Sequence, residues 1–485
     1  MNQPSFSPSD AALTSETLTR ARRGALVLLG FGISNRALLS FLLPYNRNVI
    51  VYDAKGPEEL GQAAQDAIAQ GVRFVHEQAS LPTEGVSVVF RSPGIRPDLP
   101  CIRAAVARGA QLSSEMELFF ELTPANIFAI TGSDGKTTTT TLTSLFLKER
   151  FREDPSRRVY VGGNIGQPLL PHVGEMTDRD YAIVELSSFQ LMTLTRGAAR
   201  AAITNVSPNH LNWHHGMEEY IRAKQNAFCH APTVRLVVNA ENEITRSFGQ
   251  TFSGQTVYFS SKRAGLREIA GERREHVSAL YLQDDAIVLE DASHTERLLD
   301  VADIRLPGVH NIENYMTAMA LTLPDARPED FRAVAASFTG VPHRLEPLGE
   351  RHGVHYINSS IDSSPSRTAA ALSVFHERVI VICGGRDKAV PLAPLAAALC
   401  AHAKTVVLTG EAAPKIRRAI LDSPDYHPGL FALLECPDFG GAVRAAAAAA
   451  TPGDTVILSP ACTSYDAFRN FEERGNAFRD IVRTL

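Results

Sequence analysis

The stretch FAITGSDGKTTTTTL, residues 128–142, runs an apolar segment into a glycine turn, a lysine and a string of threonines. Backbone N–H groups of such a turn, with the N-terminus of a following helix, form an anion site. A lysine closing the turn adds a point charge for β- and γ-phosphates, and an adjacent hydroxyl can ligate Mg2+. The candidates are Gly132, Ser133, Asp134, Gly135, Lys136, Thr137 and Thr138. Ile130 stands where a full G-x-x-x-x-G-K-T pattern has its first glycine. Alone, the stretch also fits a plain glycine turn with a solvated lysine.

A site that transfers phosphate also needs metal ligands, ideally at strand ends. Glu185 ends the strand pattern YAIVEL (181–186), and His210 follows AAITNV (201–206) in SPNHLNWHH. Two such groups at successive strand ends after a phosphate loop point to one site. Upstream, GFGISN (30–35) and Asp53, which follows the next strand, imitate a dinucleotide fingerprint. Asn35 replaces the third glycine, so a nucleotide whose diphosphate meets a helix N-terminus and whose sugar or base meets Asp53 fits better than NAD.

These groups need strands to present them. Residues 24–52 alternate strand, glycine turn, helix and strand, and VSVVFRSPGI (86–95) adds an apolar run ending in a Ser-Pro-Gly turn. This reads as a small α/β domain with a parallel sheet, over 24–122. A second block, 123–340, opens with the strand NIFAIT, and its polar stretch 253–303 alternates as antiparallel strands do. A third, 341–485, carries the strand patterns RVIVICGG, KTVVLTG and DTVILSP with helical patterns between them. Residues 1–23 read as a flexible extension without the apolar core of a signal peptide.

The 485 residues are too many for one compact core. Their 44% hydrophobic and 21% charged content is that of an ordinary globular protein. A net charge of −5 without a basic tract speaks against nucleic acid as a partner. Six scattered cysteines with no C-x-x-C pair fit a reducing cytosol better than a disulfide framework or a zinc site. No apolar run approaches the roughly 20 residues of a membrane helix. A cytoplasmic protein is expected.

With these residues in view, the chain resembles the Mur ligase family over nearly its whole length. The resemblance rests on ordered motifs, among them GFGISN, SPGI, TGSDGKTT, GGNIG, ELSSFQL, SPNHLNWH, YIRAKQNAF, GVHNIENYMTA, GVPHRLE, GGRDK and LSPACTSYDAFRNFEERG. ELSSFQL and the last motif look specific to the branch that adds D-glutamate. The resemblance implies three α/β domains in series: a Rossmann-like N-terminal domain, a P-loop mononucleotide-binding central domain and a Rossmann-like C-terminal domain. It implies an ATP- and Mg2+-dependent ligase of peptidoglycan synthesis, acting as a monomer, with UDP-N-acetylmuramoyl-L-alanine and D-glutamate as small-molecule substrates.

Residue by residue, the resemblance puts Lys136 and the loop on the ATP phosphates, with Thr137, Glu185 and His210 on Mg2+. Lys224 in YIRAKQ matches a lysine that is carbamylated into a carboxylate-like ligand, which requires desolvation and a lowered pKa. Without the resemblance, Lys224 would read as an exposed helix lysine beside Glu219 or Tyr220. Asn311 and Asn314 match adenine and ribose contacts, and Arg344 matches an arginine reaching the phosphates. Gly32, Ile33, Ser34, Asp53, Ser92, Pro93 and Gly94 would hold the uridine diphosphate, with Asn164 and Gln190 nearer the sugar-peptide. Lys388, Ser464 and Phe471 match the D-glutamate pocket. Hinge closure is expected near residues 122 and 340.

One stretch departs from the family pattern. At NSSIDSSPSRT (358–368), Ser359 stands for an aspartate and Ile361 for a lysine, with Asp362 a candidate replacement carboxylate. A nucleotide-binding module with a degenerate site is therefore an alternative; a ligase for L-glutamate or another amino acid is another, because mirror-image side chains can use the same carboxylate-binding groups. A nicotinamide oxidoreductase built on GFGISN would explain nothing after residue 123.

Overall fold

The computed structural model describes residues 15–76, 81, 84–211, 213–270, 276–306, 308–387 and 390–485. They fall into two compact units that divide between Phe338 and Thr339.

The first unit holds two sheets. In spatial order the smaller is Arg73–Val75 (β3), Val49–Tyr52 (β2), Ala25–Leu29 (β1), Val86–Arg91 (β4) and Gln111–Ser113 (β5). All its neighbours are parallel. The order reverses between β1 and β4, and ligands of open α/β sheets bind beyond the strand ends at such a switch point. The Gly30 turn follows β1 and the Ser-Pro-Gly turn follows β4, so both candidate uridine-side turns lie there.

The stretch expected as an extension is partly core. Ser15 caps a helix, Glu16–Ala21, by accepting from the Leu18 N–H. Leu18 and Ala21, three positions apart and so on one face, are fully buried. Ser15 and Thr17 hydroxyls both donate to Glu121. A polar-looking sequence thus carries one narrow apolar stripe, enough to fix a short helix against the sheet.

The larger sheet has nine strands, in the order Thr295–Asp300 (β14), Ala286–Glu290 (β13), Val277–Gln283 (β12), Gln255–Ser260 (β11), Arg235–Asn239 (β10), Arg200–Ile203 (β9), Asn126–Thr131 (β6), Tyr181–Glu185 (β8) and Val159–Gly163 (β7). Its middle is parallel and its β12–β14 edge antiparallel, as the alternation in that stretch suggests. β6, β8 and β9 are almost wholly buried, which explains their continuous apolar runs. The joint expected to hinge near residue 122 is crossed by Arg91, at the end of β4. Its buried guanidinium donates to the Phe189 carbonyl (2.7 Å) and the Thr193 hydroxyl (3.1 Å). Breaking such bonds would strand a buried charge, so the two sheets of this unit are bolted together.

The second unit holds six strands in the order Glu346–Arg351 (β15), Val354–Asn358 (β16), Thr455–Ala461 (β20), Val379–Gly384 (β17), Ala403–Thr409 (β18) and Ala432–Glu435 (β19), parallel apart from the β15–β16 pair. The departing stretch follows β16 as a packed loop. Ser359 and Ser360 are fully buried. The Arg474 guanidinium donates to the Ser360 hydroxyl (3.0 Å) and carbonyl (2.9 Å), and Ser360 donates to the Phe471 carbonyl (2.7 Å). Asp362 accepts from Ser459 (2.8 Å), and burial pushes its carboxyl pKa up. Ser360 therefore ties the loop to the last helix, while Ser359, which stands for the aspartate, accepts from the Leu345 N–H (3.1 Å).

Candidate active site

The phosphate loop joins β6 to the helix Lys136–Arg150. Gly135 caps that helix at φ +78°, in the left-handed region that favours glycine. A Cβ at Gly132 would lie 1.9 Å from Thr204 Oγ1, and one at Gly135 2.4 Å from Asn314 Oδ1. Both glycines are therefore dictated by close approach. The loop is braced from β9: the Ser133 N–H donates to the Asn205 carbonyl, the Asp134 N–H to Asn205 Oδ1, and Thr204 to the Asp134 carbonyl. The Ser133 side chain turns inward, between the Ser207 backbone and the Tyr220 hydroxyl (3.0 Å). Thr139 makes the first intrahelical bond, to Gly135, so the amides of Lys136, Thr137 and Thr138 precede the ladder and form the anion-facing end. Lys136 folds onto the loop, donating to the Ser133 (2.8 Å) and Gly132 (3.0 Å) carbonyls.

Lys224 lies on the helix Met217–Gln225 and is only 1% exposed. Its ammonium donates to the Gly132 carbonyl (2.9 Å) and sits 4.5 Å from the Tyr220 ring centroid. Burial, reinforced by the charge of Lys136, holds its pKa well below that of an ordinary lysine. A neutral, desolvated amine is what carbamylation requires.

Glu185 closes β8 and pairs in register with Ile130 on β6, which brings it to the mouth of the loop. Asn164 fixes it, donating its side-chain amide to Oε1 and its backbone N–H to the carbonyl, both at 2.8 Å. Oε2 is buried with no hydrogen-bond partner among the described residues. A buried, unpartnered carboxylate oxygen fits a divalent cation. His210 is exposed at φ +55°, its ring 4.9 Å from that of Phe189 in the short helix Ser188–Leu191 that follows β8. Among the described residues no three His, Cys, Asp or Glu side chains gather into a metal cluster. The expected Mg2+ set therefore depends on Thr137 and a modified Lys224 as well.

Several candidates take structural partners. Gln190 closes a capping box with Ser187. Asn314 accepts from Thr139 and donates to Asn311, so this pair supports the glycine loop from behind. At the switch point, Asp53 accepts from the Phe31 and Lys55 N–H groups, tying down the Gly30 turn. Asn35, in the third-glycine position, is fully buried and donates to the Leu29 and Gly30 carbonyls. Ser92 donates to the Gly30 carbonyl and its N–H to Leu29, joining the two turns. Gly32, Ile33 and Ser34 open the next helix, with Ile33 67% exposed. The carbonyls of Pro93 and Gly94 accept from Arg91 and Trp213.

In the second unit, Arg344 is exposed and its charge reaches Asp362. Ser464 is buried beyond the end of β20, its carbonyl accepting from Ala467 and Phe468. The Phe471 ring, at the start of the last helix, lies 6.1 Å from that of His343. Lys388 lies outside the described residues.

Sequence reasoning passed over Arg96, Trp213 and His214, and named Glu219 and Tyr220 only as helix neighbours of Lys224. His214 is 2% exposed, with Nδ1 3.3 Å from Glu219 and Nε2 2.9 Å from Ser188. A carboxylate can only accept, so Nδ1 carries the proton. Burial lowers the His214 pKa and keeps the ring neutral. The available signal was the crowding of aromatic and imidazole groups in HLNWHH.

The chain is similar to known proteins over nearly its whole length. Residues 130–322 match the Mur ligase middle domain, and residues 343–462 match the Mur ligase, glutamate ligase domain. The chain is 42% identical to a UDP-N-acetylmuramoylalanine–D-glutamate ligase of Ruminiclostridium cellulolyticum, covering 95% of this chain and 96% of that one. It is 40% identical to the protein of that name from Clostridium novyi, covering 96% and 97%. Among solved structures, UDP-N-acetylmuramate-alanine ligase MurC of Thermotoga maritima shares the fold at 16% identity and a TM-score of 0.51, over 95% of this chain and 99% of that one. MurF of Acinetobacter baumannii does so at 14% and 0.52, over 83% and 93%. The chain belongs to the Mur ligase family, in its UDP-N-acetylmuramoylalanine–D-glutamate ligase branch.

Proposed function

We propose that this protein joins D-glutamate to UDP-N-acetylmuramoyl-L-alanine at the expense of ATP, in peptidoglycan synthesis. One observation carries the reading. Glu185, through its register with Ile130, and Lys224, through its bond to the Gly132 carbonyl, close on the same phosphate loop. A loop that only bound nucleotide would have no use for both a buried lysine of lowered pKa against its Gly132 carbonyl and a buried, unpartnered carboxylate oxygen at the end of the adjoining strand.

In the proposed reaction an oxygen of the alanyl carboxylate attacks the γ-phosphorus of ATP, the bond to the ADP oxygen breaks, and an acyl phosphate forms. The glutamate amine then attacks the acyl carbon, phosphate departs with the C–O bond, and the nitrogen loses a proton. Both reactants of the first step are anions, so positioning and charge neutralisation dominate. Lys136 and the helix-end amides at 136–138 would hold phosphate oxygens, a role that the family resemblance also gives Arg344. Glu185, His210, Thr137 and carbamylated Lys224 would hold Mg2+, which supplies charge neutralisation at the transferring phosphoryl group. Gly32–Ser34 and Ser92–Gly94 would take the uridine diphosphate, and Ser464 and Phe471 the amino acid. The protein would work in the cytoplasm as a monomer. In keeping with that, no helix among the described residues is long and apolar enough to cross a membrane.

The test is phosphate release from ATP and Mg2+ with UDP-N-acetylmuramoyl-L-alanine and D-glutamate, L-glutamate or neither. Release that requires D-glutamate is expected. Dependence on L-glutamate would keep the mechanism and change the product, and no amino-acid-dependent release would overturn the reading.

A further inference from the structure

The turn after β4 and the phosphate loop are joined by a continuous set of side-chain contacts. Trp213 donates from its indole to the Gly94 carbonyl (3.0 Å), and the Arg96 guanidinium lies 5.0 Å from its ring centroid. Arg96 donates to Glu219 with two nitrogens (2.9 and 3.1 Å), to Asp98 with two (both 2.9 Å), and to the Trp213 carbonyl (2.5 Å). Such forked pairs fix direction as well as distance. Glu219 also accepts from the His215 N–H (2.8 Å) and faces His214 Nδ1; the other ring nitrogen of His214 meets Ser188, the first residue of the short helix that follows β8. The His214 ring packs on Tyr220 (5.2 Å between centroids). Tyr220 in turn touches Ser133 of the phosphate loop and lies under the Lys224 ammonium.

We propose that Arg96 is a positioning residue that, through Glu219 and His214, couples occupancy of the uridine-side turn to alignment of the phosphate-loop site, an inference that rests on the ligase reading above. A ligase that activates a carboxylate with ATP gains if its nucleotide site senses whether the carboxylate donor is present. Here the first strand-end turn and the helix bearing Lys224 share one carboxylate, Glu219, so a shift of Gly94 or Arg96 reaches that helix directly. Coupling of this kind is a free energy and is measured as one.

Trp213 is the only tryptophan in the chain and sits inside the network, so its emission reports on it. The wild type is titrated with the Mg2+ complex of a non-hydrolysable imido analogue of ATP, with and without saturating UDP-N-acetylmuramoyl-L-alanine. Calorimetry repeats each titration without relying on Trp213. The nucleotide should bind at least about fivefold tighter when the UDP-substrate is present. In Glu219→Gln and Arg96→Lys, each ligand alone should bind within about twofold of wild type while the enhancement falls to one, because the charge or shape survives but the fork does not. An enhancement that persists in both variants overturns the proposal, and so does its absence in a wild type that binds both ligands. A wild type that fails to bind the UDP-substrate at all overturns the ligase reading, and this inference with it.

Discussion

The side-chain amide of Asn164 donates to Oε1 of Glu185 at 2.8 Å and leaves Oε2 buried without a partner. The asparagine therefore aims one carboxylate oxygen. Asn164→Ala should lower kcat about 10–100-fold and raise the Mg2+ concentration needed for half activity, as loss of a ligand-orienting group does. The KM for the UDP-substrate should stay near that of wild type. A variant with normal Mg2+ dependence and a raised UDP-substrate KM would return Asn164 to the substrate side.

Lys224 has its pKa pushed well below that of an ordinary lysine by burial and by the charge of Lys136. Its removal should therefore abolish activity without costing stability. Lys224→Met keeps the volume, and the Gly132 carbonyl keeps a donor because Lys136 also reaches it. The sign follows from proton counts. Below the ordinary lysine pKa the unfolded chain holds a proton that the folded chain has given up, so wild-type stability rises with pH through that window. Lys224→Met should match or exceed the wild-type Tm at pH 6, with the advantage shrinking toward pH 10. An unmodified amine cannot serve as a metal-side anion, so bicarbonate depletion should lower wild-type activity and its return restore it. A Tm loss of many degrees at pH 6, or activity in the variant, would contradict this.

The phosphate loop, Glu185 and the strand pattern were legible because each rests on local chemistry: a glycine turn, a carboxylate closing an apolar run, uninterrupted buried strands. Lys224 was legible only through resemblance, since a lysine in YIRAKQ has no local mark of burial. It is buried because Tyr220 and the loop close over it. The helix at 16–21 was missed because its apolar stripe is two residues, Leu18 and Ala21, and its partner Glu121 lies far along the chain. Arg96 and His214 were missed for the same reason: their partners Glu219 and Ser188 lie on helices far away in the sequence, Glu219 from Arg96 and Ser188 from His214. Asp53 and Gln190, expected as ligand contacts, also brace the backbone around the site, a role their sequence positions did not announce.

Gly135 can be tested apart from Lys136. At φ +78° and with a Cβ 2.4 Å from Asn314 Oδ1, Gly135→Ala meets both backbone strain and a clash. The strain alone costs about 1 kcal/mol or more. Nucleotide affinity should fall at least tenfold, since the amides at 136–138 shift with the cap. Adding Asn314→Gly relieves only the clash, so the double variant should recover part of the affinity and not all of it. Full recovery would mean that the left-handed turn is dispensable, and none would mean that Asn314 is not what Gly135 accommodates.

Glu115, the first residue of the helix Glu115–Leu122, gives a stability prediction independent of catalysis. It is 3% exposed, and its Oε1 has no hydrogen-bond partner among the described residues. Burial raises its pKa from 4.5 to about 7, only partly offset by the backbone at Leu170. Between those values the folded protein holds a proton that the unfolded chain has lost, so this group's stabilising contribution falls as pH rises and levels off above about 7. Glu115→Gln, which cannot ionise, should be level with wild type at pH 4.5. Above neutrality it should be more stable by about 1–3 kcal/mol, the usual cost of a buried unpaired polar group. Thermal melts at pH 4.5, 6 and 8 decide it. A wild-type–variant gap that does not widen with pH would mean that the carboxylate finds compensation on ionising, and would remove Glu115 as a source of alkaline destabilisation.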